Sequence, residues 1–508
     1  MFLSLLLLLP TLLVLLRFIN NLVWNPIRVQ LMMRSQGISG PSYKFIHGTT
    51  KESMRLKLEG MNRPMEMSHD IFPQAQPSFY AWMNLYGANF LTWNGPRPHL
   101  VITEPELAKE ILTNKGGDFP KIKLDGIAEK LVGDGLFTAE GTKWLKLRKL
   151  ANSAFYAESL KAMTPAMVAS VETMLGNWKQ SEGKEIEVSQ EFRVLSSEVI
   201  SRTAFGSSYL EGKNIFDMMA KLGMLIFKNA DRVRFPVIDK VWKLKDDIES
   251  DRIERSLRAS VKEIVKKREA KVKSGEEANF GTDFLGLLLR AHHNIVDEES
   301  TISVDNIIDE CKVFFLAGHE TTSSLLSWTF LLLAIHEDWQ DKARAEVVDV
   351  FGDGNPIAEG LPKLKIASMV VNEVLRLYAP VVSLVRRVKS KARAGKYEFP
   401  AGMELHIPTL ALHRNAKIWG EDAHLFKPDR FADGIAKATR NNPTAFLPFG
   451  YGPRTCVGLN FASNEVKIAM SMVLQRYKFT LAPTYVHSPI TILTTQPRNG
   501  VQIVLRKV

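Results

Sequence analysis

The chain has 508 residues, 45% of them hydrophobic and 24% charged, an ordinary globular composition with enough apolar material for a large core. Its formal net charge is +11, yet the basic residues are scattered among acids. Nucleic acid is therefore excluded as a partner, while an anionic membrane surface or an acidic protein is expected. Only two cysteines occur, Cys311 and Cys456, and no C-x-x-C or H-E-x-x-H spacing is present, which excludes a disulfide framework and the common zinc motifs. The single Asn-x-Thr triplet, Asn442-Pro443-Thr444, is blocked by proline, which suits a cytosol-facing compartment.

In chain order, Phe2 to Leu16 is almost wholly apolar, and Leu22, Val23 and Trp24 follow after Arg17, Asn20 and Asn21. The run reaches spanning length if Arg17 snorkels. The rival, a cleaved leader, lacks a basic start and a small-residue cleavage site. Residues 1–24 are thus read as a single membrane anchor. Arg17, Arg28 and Arg34 on its C-terminal side place the main body in the cytosol. Residues 25–48 read as a linker, with Gly37-Ile38-Ser39-Gly40-Pro41 as its stiff turn, and residues 49–508 as one large domain.

Short apolar stretches around Asn94-Gly95-Pro96 predict a hairpin, and helical period dominates from residue 105. Trp144 and Arg148, four apart, share one helix face; a Trp packed under an Arg stem is the plain alternative. Residues 156–300 read as successive amphipathic helices, with 243–274 a solvated face and 274–279 a loop. Phe216, Met218, Met219, Met224, Phe227 and Phe235 form an apolar, Met-rich region whose default reading is core.

Ser303 opens a long helix that reaches Trp328 and, if it continues to Ile335, spans about 50 Å. Its apolar course is interrupted by Ala317-Gly318-His319-Glu320-Thr321-Thr322. A threonine bonded back to its i−4 carbonyl explains such a break harmlessly, but a broken local rule inside a core helix is also where function is expected. Cys311 reads as core. Glu373 and Arg376, spaced i,i+3 among Val370, Val371, Val374 and Leu375, form a pair that requires a further partner if buried. Residues 384–410 and 478–507 alternate as in a minor sheet.

Residues 446–462 run Phe-Leu-Pro-Phe-Gly-Tyr-Gly-Pro-Arg-Thr-Cys-Val-Gly-Leu-Asn-Phe-Ala. Glycines and prolines force an irregular loop, and helical period begins beyond it. Cys456 thus stands ahead of a helix N-terminus, where free N–H groups favour a thiolate. The plain alternative is a buried cysteine in a tight turn. A dinucleotide loop is rejected: Thr455 fills the third glycine position and Pro453 intervenes.

The string Phe449-x-x-Gly452-x-Arg454-x-Cys456-x-Gly458 resembles the haem-binding signature of the cytochrome P-450 superfamily. Three further motifs stand in the required order, closest to the plant clan that contains secologanin synthase and hydroxylases of gibberellins, brassinosteroids and cytokinins. The resemblance implies a mainly α fold with a small β region, about a dozen helices around haem b (iron protoporphyrin IX). It makes Cys456 the axial iron ligand, with Phe449, Arg454 and Gly458 around it. Trp144, Arg148 and Arg386 become propionate-binding residues, and Glu320 and Thr321 a proton relay to iron-bound dioxygen. Arg430 then completes a structural cluster with Glu373 and Arg376, and the Met-rich region becomes a mobile lid. The implied activity is a monooxygenase inserting one atom of O2 into a hydrophobic terpenoid, hormone or fatty acid. NADPH-derived electrons would come from an NADPH-cytochrome reductase, and the enzyme would be a monomer on the endoplasmic reticulum membrane. The rivals are a reductase-independent isomerase or dehydratase of hydroperoxides, and a non-catalytic haem- or lipid-binding protein.

Overall fold

Helical period becomes helix across most of the computed structural model, which describes residues 12–62, 65–230, 232–233, 242–293 and 301–508. The first described helix runs from residue 12 through a π turn, Asn20–Trp24, into α1 (Asn25–Ser35). The stretch read as a linker, 25–48, is therefore helical over nearly its first half. The break falls at Gly37, whose φ of 83° only glycine adopts easily. Residues 1–11 of the expected anchor lie outside the described residues. Among the described ones no helix is long and apolar enough to cross a membrane, although Leu12, Val14, Leu16, Phe18 and Trp24 are exposed.

The predicted hairpin forms as β1 (Asn89–Asn94) and β2 (Arg97–Ile102), closed over Gly95-Pro96. Then come α2 (Pro105–Thr113), α3 (Gly141–Ala154), α4 (Ala157–Trp178), β3 (Glu185–Glu187), α5 (Val188–Phe205) and α6 (Tyr209–Lys228). The charged helix Lys245–Lys273 buries only a narrow stripe including Leu257, Val261 and Val265, as a solvated face should. The long helix is α7 (Val304–Ile335), followed by α8 (Lys365–Leu377). Four strands come next: β4 (Ser383–Arg387), β5 (Ala392–Ala394), β6 (Tyr397–Phe399) and β7 (Glu404–Pro408). After α9 (Leu459–Leu474) the chain ends in β8 (Tyr477–Leu481), β9 (Pro489–Thr491), β10 (Thr495–Pro497) and β11 (Gln502–Lys507). Instead of one minor sheet there are two, ordered β1-β2-β7-β4 and β3-β11-β8, plus two hairpins. Alternation alone does not reveal which strands pair.

α7 is the axis. Its N-cap Ser303 and Asn306 satisfy each other's backbone N–H groups, and its 32 residues cover about 48 Å. From Glu310 to Ala334 every residue is buried except Leu316, Ala317, Gly318 and Thr321. Aromatic rings join its first half to α9: Phe155 lies between Phe314 and Phe461, with both centroids 5.5 Å away. α5 lies so close to α7 that a Cβ on Gly318 would meet Ile200 Cδ1 at 2.7 Å. Cys311 is core, as expected. The Met-rich region divides: Phe216 and Met219 are buried, Met224 is exposed, and Phe235 lies outside the described residues.

Candidate active site

The cysteine loop is shaped by two glycines. Gly450 and Gly452 have φ of 75° and 74°, and a Cβ on Gly452 would strike the Leu112 carbonyl of α2 at 2.7 Å. Only glycine lets the loop press against that helix end. Beyond it the Cys456 N–H donates to the Phe449 carbonyl at 2.8 Å, folding the loop back on itself. Gly458 is the N-cap of α9. Nothing within the chain demands glycine there, because an added Cβ would lie 3.9 Å from Cys456 Sγ, an ordinary contact.

Cys456 is set deep among neighbouring atoms yet open to a solvent-sized probe, so it faces an internal space. Ala317 is likewise exposed and Thr321 half-buried in the middle of the innermost helix. Thr321 Oγ1 donates to the Ala317 carbonyl at 2.6 Å, the i−4 bond considered above. Burial pushes the Cys456 thiol up, while the Gly458 N–H and the Arg148 charge pull it down. The helix start alone does not secure the thiolate as the sequence suggested; a cation at sulfur would remove the proton outright.

Around the loop, cations crowd together. Arg148 Nη1 donates to the Thr455 carbonyl at 2.6 Å, and the Arg454 guanidinium lies 4.2 Å over the Trp144 ring. The predicted Trp–Arg pair is thus re-partnered: Trp144 carries Arg454, and Arg148 braces the cysteine loop. Arg386, buried on β4, is pushed down to about 10 by burial and by Arg454. Lys121, which the sequence reading missed, is pushed down to about 7 by burial, Arg386 and Arg454. Arg454 Nη1 is buried and has no hydrogen-bond partner. Mutually repelling cations, one of them the buried Arg386, with an orphaned Arg454 donor call for anions. Together with an inward-facing thiol, they fit a group that carries carboxylates at its edge and a metal at its centre.

Glu320 points elsewhere. Its Oε1 lies 3.6 Å from Arg193 Nη1, and Thr494 Oγ1 donates to its Oε2 at 3.3 Å. It lines a cavity of about 360 Å³ with Arg193, Gly223, Gln496 and the exposed Gln190 and Arg498. A narrower polar extension continues past Ser323, Ser324 and Ser327. Adjacent on α7, Glu320 and Thr321 therefore look two ways, the acid toward this surface-connected cavity and the hydroxyl along the Ala317 face.

Glu373, Arg376 and Arg430 come together as expected. Arg376 Nε and Nη2 each donate to Glu373 at 2.7 Å, and Arg430 Nε stands 3.5 Å from Glu373 Oε1. Glu373 and Arg376 are fully buried, so removing one partner costs about 3–5 kcal/mol. Arg376 also donates to the carbonyls of His413, Ala423 and Leu425. His413, absent from the sequence reading, ties this cluster to the cysteine loop: Leu447 N–H donates to its Nε2 at 2.8 Å, and its Nδ1 lies 3.1 Å from the Arg376 carbonyl. That pattern requires a neutral ring protonated at Nδ1, and burial holds its pKa near 3. No spacing signal could have revealed His413, Lys121 or Arg193, since each acts across more than 30 positions.

The family model for cytochrome P450 matches residues 72–503. A Panax ginseng protein named cytochrome P450 CYP749A22 is 53% identical over 495 residues, covering 97% of this chain and 94% of the relative. The 11-oxo-beta-amyrin 30-oxidase of Glycyrrhiza uralensis is 42% identical, covering 96% and 94%. Secologanin synthase 1 of Catharanthus roseus is 39% identical, covering 95% and 93%.

Proposed function

The chain belongs to the cytochrome P450 family of haem-dependent monooxygenases, and from that premise we propose that it oxidises a terpenoid with electrons from an NADPH-cytochrome reductase. The 11-oxo-beta-amyrin 30-oxidase and secologanin synthase relatives support the substrate class. Residues 1–24 anchor the enzyme in the endoplasmic reticulum membrane, 25–48 link it, and 49–508 form the catalytic domain in the cytosol. The observation that carries the site assignment is the inward-facing Cys456 beside a cluster of cations that includes the buried Arg386 and an unpartnered Arg454 donor.

Cys456 would ligate the haem iron, and Lys121, Arg386 and Arg454 would neutralise its carboxylates, with Trp144 supporting Arg454. Bound there, haem supplies dioxygen activation and the insertion of one oxygen atom into a C–H bond, chemistry for which thiolate ligation favours O–O cleavage. Glu320 takes protons from the water-accessible cavity at its carboxylate, where Arg193 and Thr494 hold it. Thr321 Oγ1, once it releases the Ala317 carbonyl, would give its proton to the internal space beside Cys456 and regain one from Glu320 by way of water. Phe449 sets the loop so that Sγ points inward, and Glu373, Arg376, Arg430 and His413 keep the loop in place.

Microsomes containing this enzyme and a plant reductase, supplied with NADPH and a panel of terpenoids, test the reading. Oxygen- and NADPH-dependent product is expected. Turnover of hydroperoxides without NADPH would establish the isomerase or dehydratase alternative instead.

A further inference from the structure

Away from the catalytic residues, one face of the β1-β2-β7-β4 sheet carries a side-chain cluster that takes no part in the proposed reaction. β2 and β7 run parallel with His99 paired to Glu404, and His406 follows two residues on, so all three side chains leave the sheet on one face. His99 Nε2 lies 3.2 Å from Glu404 Oε2, and His406 Nε2 lies 3.5 Å from the same oxygen. All three ligand atoms fall within 4.8 Å of one another. Both Nε2 atoms are buried, and neither makes a hydrogen bond of acceptable geometry. Two imidazoles and a carboxylate thus converge at salt-bridge distance, with both Nε2 atoms turned to one Glu404 oxygen.

We propose that His99, Glu404 and His406 form a three-ligand site for Zn²⁺, with the fourth position open to water. Tetrahedral zinc with bonds of the usual length separates its ligand atoms by about 3.3 Å, and the two measured His–Glu separations bracket that value. The imidazole rings stack with centroids 4.6 Å apart and 24° between planes; rotation about the broad terminal torsion of one ring brings both lone pairs onto the ion. Burial pushes His99 toward its neutral form, with a pKa near 3. Arg97, the closest competing cation, is engaged by Asp125 at 3.1 Å. The other wall is apolar, with Phe79 edge-on to His406 at 6.2 Å. Side-chain exposures of 12–18% leave an entry path. Such an ion would clamp β2 to β7, beside β4, on whose opposite face Arg386 pairs with Leu405 between the two β7 ligands.

The test uses the tagless, full-length, haem-loaded protein in detergent, equilibrated with micromolar ZnSO₄ and then desalted, with zinc measured by elemental analysis. About one zinc per chain is expected, together with a zinc-dependent rise in Tm that a chelator reverses. His99→Gln/His406→Gln should retain less than about a tenth of the zinc and lose the Tm response. If that variant does not fold, Glu404→Gln serves in its place with the same expectation. Wild-type protein that retains no zinc, or a variant that retains as much as wild type, overturns the site and leaves an ordinary His–Glu–His contact.

Discussion

At Thr321 a single hydroxyl has two possible partners. In the resting chain it donates to the Ala317 carbonyl, an arrangement that costs little and bends the helix slightly. The proposed relay needs it to turn toward the chamber. Thr321→Ala is therefore expected to fold and hold haem normally while diverting reducing equivalents from product to peroxide. Undiminished coupling of NADPH to product would remove Thr321 from the relay. Residues such as this were legible in the sequence because they interrupt a strong helical pattern. His413 and Lys121 were not: each matters through neighbours remote in sequence, and a lone His or Lys has no local signature.

Among the elements, the contact of α5 with α7 decides where the polar break in the long helix sits. Gly318 is where the two backbones approach, and an alanine there would press its Cβ to 2.7 Å from Ile200 Cδ1 and 2.8 Å from Cγ1. Gly318→Ala is expected to destabilise the protein by about 1–3 kcal/mol through overpacking. Ile200→Ala removes the obstructing atoms, so the double variant should recover a large part of the loss in denaturant unfolding. Additive losses would show that the glycine serves another purpose. The length of α7 and its capping serine were readable from period and composition. The pairing of strands was not, because β2 meets β7 some 300 residues later and alternation carries no address.

For the whole molecule, buried titratable groups set a stability profile. His69, His413 and His487 are held neutral by burial, with pKa values near 3, 3 and 4. The unfolded chain binds protons there below about 6.5, so stability falls as the pH drops from that value toward 3–4. Glu310 and Glu465 behave oppositely: burial raises both to about 8, so their contribution is complete at low pH and is lost as the pH climbs from about 4.5 to 8. Between 4.5 and 6.5 the three histidines outweigh the two acids; from 6.5 to 8 the two acids outweigh Lys121, whose lowered pKa near 7 adds stability as the pH rises. Tm should therefore peak near pH 6.5 and decline on both sides, with Glu465→Gln flattening the alkaline limb. A profile that rises steadily to pH 8 would show that these acids are ionised in the folded protein.

Oxygen activation depends on the ligand that Cys456 supplies, and the reduced, carbon monoxide-treated spectrum reads that ligand directly. Wild-type protein should show the red-shifted Soret band of thiolate ligation, and Cys456→Ser should lose it while the far-ultraviolet circular dichroism stays unchanged. If the band persists in the serine variant, or never forms in the wild type, the sulfur does not meet the iron and the proposed site is wrong.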